Sequence, residues 1–82
     1  MYFDIISAKF FPNFKIKVIF EDGLFGIFEI DINKLEKIFL PLKDKNIFVK
    51  GFIKYGAITW NVRDYELDLA PDIMYFKIKN GG

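Results

Sequence analysis

Apolar and polar residues alternate through the first third of the chain, then fall into a three-and-four spacing, then alternate again. Residues 2–10, YFDIISAKF, mix β-branched and aromatic types and read as a strand. FPN at 11–13 is a turn. KIKVIFEDGLFGIFEID follows, with two apolar runs flanking Asp22-Gly23. That dipeptide suits a two-residue type I′ hairpin, because both turn positions then need positive φ. Such a turn sets Phe20 opposite Phe25, Val18 opposite Ile27 and Ile16 opposite Glu29. Opposed residues share a face, so Ile16, Val18, Phe20, Phe25 and Ile27 would form one apolar surface. The other face would carry Lys15, Lys17, Ile19, Glu21, Leu24, Phe28 and Ile30, with more apolar residues than a wet face needs.

The period then changes. In INKLEKIFLP, Leu35, Ile38 and Phe39 fall at i, i+3 and i+4, one side of a helix. Asn33 can cap it, with Glu36 completing a capping box. Pro41 ends it, because the residue before a proline avoids the helical region. A second short helix starts at Asp44, presents Ile47 and Phe48, and stops near Gly51. FIKYGAITW at 52–60 reads as strand, turn at Tyr55-Gly56, strand, and YELDL at 65–69 alternates again. Pro71 suits the first turn of a final short helix.

These elements predict one α+β domain over 1–82: a mainly antiparallel sheet with short helices packed on it, in the order β-β-β-α-α-β-β-α. The expected core is Ile5, Ile16, Val18, Phe20, Phe25, Ile27, Leu35, Ile38, Phe39, Phe48, Ile58, Trp60 and Leu69. A chain of 82 residues buries a modest core. At 52% apolar and 20% aromatic, material for it is plentiful.

Composition removes many chemistries. Twelve basic and eleven acidic residues leave a net charge of +1, where a dedicated nucleic-acid binder is far more basic. There is no cysteine and no histidine, hence no disulfide, thiolate nucleophile or imidazole base. Ser7 and Thr59 are the sole serine and threonine. Ser7 and Lys9 share a strand face, but nothing supplies an oxyanion hole. No glycine-rich phosphate loop is present, since Gly23 and Gly26 belong to the hairpin. We expect no enzyme, cofactor or small-molecule substrate. The opening MYFDIISAKFF lacks the pattern of a signal peptide, and no apolar run is long enough to span a membrane. A soluble cytoplasmic protein is the expectation.

DYELDLAPDIMY places Asp64, Glu66 and Asp68 at alternate positions, as a calcium loop does. An EF-hand loop starting at Asp64 needs glycine sixth and glutamate twelfth. Leu69 and Tyr75 stand there instead. A strand is the better reading, with Tyr65, Leu67 and Leu69 inward and the three acids wet, and no metal site is expected.

With catalytic types scarce and apolar residues abundant, protein binding or self-association is the leading expectation. Its candidate surface is Phe11, Phe14, Ile19, Leu24, Phe28 and Ile30. The alternative is a nucleic-acid accessory that uses Lys9, Lys15, Lys17, Lys50 and Lys54 beside aromatic rings.

Several residues in order carry a family likeness: Phe20, Asp22 and Gly23; Leu42, Asp44 and Phe48; Trp60; then Asp68, Leu69, Pro71, Asp72 and Tyr75. The chain resembles the bacterial family known as domain of unknown function 2442 over nearly its whole length. It departs between Trp60 and Asp68, where the stretch is longer and lacks the family's Pro-Asn-Gly turn. The resemblance implies a small α+β domain without an established activity. Family members often look like partners of small toxin-like proteins, so it also implies an antitoxin-like, protein-binding role.

Overall fold

A computed structural model describes residues 3–81. The chain is α+β, with strands dominant. Its first half is an antiparallel meander of β1 (Ile5–Phe11), β2 (Lys15–Phe20) and β3 (Phe25–Glu29). A 3₁₀ helix (Lys37–Lys43) and the single-turn α1 (Lys45–Phe48) link it to a second meander. That one comprises β4 (Phe52–Lys54), β5 (Ala57–Val62) and β6 (Tyr65–Leu69), and α2 (Pro71–Lys79) closes the chain. The strand expected over 2–10 begins at Ile5, and Tyr2 lies outside the described residues.

Three expectations need correction. First, the expected order counted two strands after the helices, and three form there, because FIKYGAITW is a complete hairpin and YELDL joins it. Second, the Asp22-Gly23 turn holds three residues. Phe20 N–H donates to Leu24 O at 2.8 Å, and Gly23 takes a φ of 93°, the left-handed residue of a three-residue loop. Asp22 Oδ1 accepts Leu24 N–H at 2.9 Å and fixes the corner. Ile19 therefore faces Phe25 and Ile16 faces Phe28. A slip of one residue turns every side chain of a strand to its other face. Phe25 and Ile27, expected inside, are 66% and 57% exposed, while Ile30 is buried and Leu24 and Phe28 pack against the core.

Third, no α-helix forms over 33–40. Pro41 has no N–H to give, and it disfavours helical backbone at Leu40, so only tight i→i+3 turns form around it. Phe39 N–H donates to Glu36 O and Asp44 N–H to Pro41 O. Side chains three apart eclipse in a 3₁₀ helix, so Phe39 and Leu42 turn inward together and Ile38 is exposed. Asn33 caps nothing; its own N–H donates to Asp31 Oδ1.

One hydrophobic cluster joins both sheets. Ile5, Ile16, Val18 and Phe20 come from the first; Ile58, Trp60, Val62 and Leu67 come from the second. Leu42, Phe48, Met74 and Tyr75 come from the helices. Trp60 is fully buried, and its indole N–H donates to Phe48 O at 2.8 Å, so no polar atom is stranded there. Phe10 and Phe14 extend the cluster edge-on to Phe48 at 5.7 and 5.3 Å. Tyr65, expected inward, is 44% exposed beside the β5–β6 turn, and Leu35 and Leu69 are half-buried. α2 lies over the inner face of β3. A Cβ on Gly26 would fall 2.6 Å from Ile78, so glycine is what lets the helix approach. Tyr75 packs edge-on to Phe20, and its hydroxyl donates to Asp22 Oδ2, tying α2 to the hairpin corner.

Candidate binding face

The candidate surface is the outer face of the first sheet. Alternation along each strand and the register between them set its rows. Phe11, Lys15 and Glu29 form one row. Lys9, Lys17 and Ile27 form the next, and Ser7, Ile19 and Phe25 the third. The inner face holds the core, and among the described residues no element covers this side. Ile6, the extra residue of a bulge between Ile5 and Ser7, is 62% exposed beside it.

The structure divides the residues expected to form a protein interface. Phe11 and Ile19 stand on the open face. Phe14, Leu24 and Phe28 pack against the core and Ile30 is buried, so these four serve the fold. Their place on the surface is taken by Phe25 and Ile27, which the expected register had put inside. The signal that could have found them is Gly26. A glycine amid apolar residues in a strand marks a close approach, here by Ile78, and so marks the inner face.

The lysines divide as well. Lys9, Lys15 and Lys17 share the open face. Lys50 follows α1, and Lys54 lies on β4 in the other sheet. Lys15 stands opposite Glu29. Lys9 stands directly opposite Lys17, and their row contains no acid. Like charges opposed across a sheet destabilise it, so the fold alone does not account for this pair. The Lys9 ammonium lies 5.4 Å from the centre of the Phe11 ring, a contact that partly shields it.

The outer face of the second sheet is closed by polar contacts. Lys54 Nζ bonds both carboxylate oxygens of Glu66 at 2.9 Å. The bond holds the ammonium above its ordinary pKa, through the hydrogen bond first and the charge of Glu66 second. In register, Thr59 lies between the pairing positions of the two, and it is only 3% exposed beneath them. Glu66 and Asp68 are exposed on this strand, and Asp64 belongs to the turn that follows Arg63, whose φ is 58°. Among the described residues, no three metal-ligating side chains gather into a cluster, and no helix is long and apolar enough to cross a membrane.

Comparison with protein-family models, curated proteins and solved structures finds no match. The residues that carry the family resemblance lie elsewhere than this face, and they tie the fold together. Asp22 accepts from Tyr75, Phe48 O accepts from Trp60, and Asp44 Oδ1 accepts Asn46 N–H at the start of α1.

Proposed function

We propose that this chain is a cytoplasmic protein-binding domain without catalytic activity, acting through the outer face of its first sheet. One observation carries the reading. Lys9 and Lys17 are opposed in a row with Ile27, beside Phe25 and Ile19, and no described residue covers them. Phe25, Ile27 and Ile19 make one apolar corner of this face, bordered by Lys17 and Lys9, and an apolar patch edged by charge is a usual build of a protein interface. A partner that supplies carboxylates would both cover the apolar groups and relieve the lysine pair. The resemblance to the family numbered 2442 supports a small toxin-like protein as that partner, with this chain in the antitoxin-like role.

Nucleic acid is the second reading, favoured by Lys9, Lys15, Lys17, Phe11 and Phe25 on one face. Branched Ile19 and Ile27 flank Lys17 at the middle of this face, where flat rings would be needed for stacking, and this ranks it below protein. Co-expression with the products of the neighbouring genes, followed by gel filtration, tests the proposal. The expected result is a complex that Phe25→Asp with Ile27→Asp abolishes. Overturning results are a complex indifferent to those changes, or a DNA or RNA probe shifted at physiological salt by this face.

A further inference from the structure

We infer that the partner binds by adding an extended strand to the open edge of β3, with apolar side chains against Phe25 and Ile27 and a carboxylate for Lys17. The inference rests on the protein-binding reading and gives it a mode.

The main chain points to it. Phe20 N–H donates to Leu24 O at 2.8 Å, and Ile30 N–H donates to Phe14 O at 3.0 Å. Hydrogen-bonded positions alternate along an antiparallel pair. Gly26 and Phe28 therefore spend their backbone groups on β2, as Leu24 O does, and Ile30 N–H is spent on the loop before it. Phe25, Ile27 and Glu29 direct theirs outward, where no strand lies among the described residues. Edge strands are ordinarily guarded by lysine, proline or a covering element. β3 reads FGIFE, with neither lysine nor proline and a single charge, Glu29, at its end. The other edges are less open. Ile5 N–H, at the start of β1, donates to Gly56 O beside β4, and β6 bears Glu66 and Asp68. A groove of about 690 Å³ opens beside the second half of β3, between Ile27 and Glu29 on the strand and Lys77 and Ile78 on α2.

Two obstacles exclude a second copy of this chain. Pairing β3 with its own copy would bring two α2 helices over strands about 4.8 Å apart, whereas packed helices need about 8–10 Å. Stacking two outer faces would gather Lys9, Lys15 and Lys17 of both copies into one interface, with Glu29 the one acid in the three rows of each face. A strand from a different protein, with no helix above it, meets neither obstacle. Its outward side chains lie two strand spacings from β2, roughly 9.6 Å. Extended lysine and glutamate side chains together bridge that gap to Lys17. Lys9, Lys15 and Lys17 outnumber Glu29 and Asp31 here, so the net charge on this side is positive.

The test uses the whole labelled protein and three capped octapeptide probes: one with valine, valine, glutamate and valine at the odd positions, which share one face, and threonine at the even ones; the same with lysine for glutamate; and the glutamate peptide N-methylated on alternate amides. Saturable shifts are expected from the first probe alone. Exchange of the Phe25, Ile27 and Glu29 amides should slow about tenfold, as pairing protects them. Ile27→Pro removes an outward N–H without taking a bond from β2, and it should abolish binding; if it fails to fold, Ile27→Lys guards the edge instead. Shifts confined to Lys9, Lys17 and Ile19, with the three amides exchanging freely, would overturn strand addition and leave the protein-binding reading standing. Equal binding of the N-methylated peptide, or no saturable binding of the first peptide, would also overturn strand addition.

Discussion

The first sheet turns its corners with three-residue loops, Pro12–Phe14 and Glu21–Gly23, while the second uses two, Tyr55-Gly56 and Arg63-Asp64. In the second sheet, loop length and residue pattern agree. Ile58, Trp60, Val62 and Leu67 go in, and Thr59, Asn61, Glu66 and Asp68 take the other face, where the Lys54–Glu66 bridge lies over Thr59. In the first sheet they cannot fully agree, because β3 and its flanks are apolar at both parities. One register exposes Leu24 and Phe28; the other exposes Phe25 and Ile27. Whichever loop forms, a row of large apolar groups stays outside. An apolar outer face is thus built into the sequence of this hairpin, and it stands beside an opposed lysine pair that weakens the free protein. A sheet built only for stability would have neither.

The largest expected effect lies in the second sheet. Trp60→Ala removes a fully buried ring and should cost about 3–5 kcal/mol, read by chemical denaturation. An unchanged midpoint would mean that the indole does not join the two sheets. Gly26→Val comes next. Its side chain would meet Ile78 and push α2 off β3, at about 1–3 kcal/mol. Thermal melts check this, and a neutral outcome would detach α2 from the first sheet.

A smaller, pH-dependent effect belongs to the Tyr75–Asp22 tie. The Asp22 carboxyl is held below its ordinary 3.8, first by the Tyr75 hydroxyl and then by Leu24 N–H. Its contribution is whole above 3.8 and is lost as pH falls through the lower folded value. The Tyr75 phenol is pushed above its ordinary 10.0, chiefly by the same bond, so on the alkaline side the tie is lost as pH climbs through that raised value. The gap in melting temperature between the unmutated protein and Tyr75→Phe should hold near neutrality and shrink at both extremes. A gap constant down to the lowest pH would place the tie elsewhere. The smallest effect is on the open face. Phe25→Asp or Ile27→Asp should change stability by no more than about 0.5 kcal/mol, since both are exposed. A large loss in either would show that the row is covered within the chain.

Much of the fold was legible. Alternation at the start of KIKVIF, with Lys15 and Lys17 outside, placed Ile16, Val18 and Phe20 inside, and Pro71 opens α2 as its fixed φ requires. The face itself was not. Asp22-Gly23 serves a two-residue and a three-residue corner equally well, since glycine fits the left-handed position of either. With apolar residues at both parities of β3, periodicity had no vote on the register. Packing of α2 on Gly26 decides it, and that contact spans most of the chain. Leu42, Met74 and Tyr75 were missed for the related reason that short helical turns carry too few residues to show a period.

The chain contains no cysteine, so one introduced cysteine is a unique attachment point. A photo-crosslinker at Ile27→Cys, compared in the native host with one at Asp68→Cys on the closed sheet, tests the asymmetry most directly. The account predicts one discrete protein adduct from position 27, suppressed by Lys17→Glu, and none from position 68. The same adducts from both positions, or an adduct from 68 alone, would contradict it.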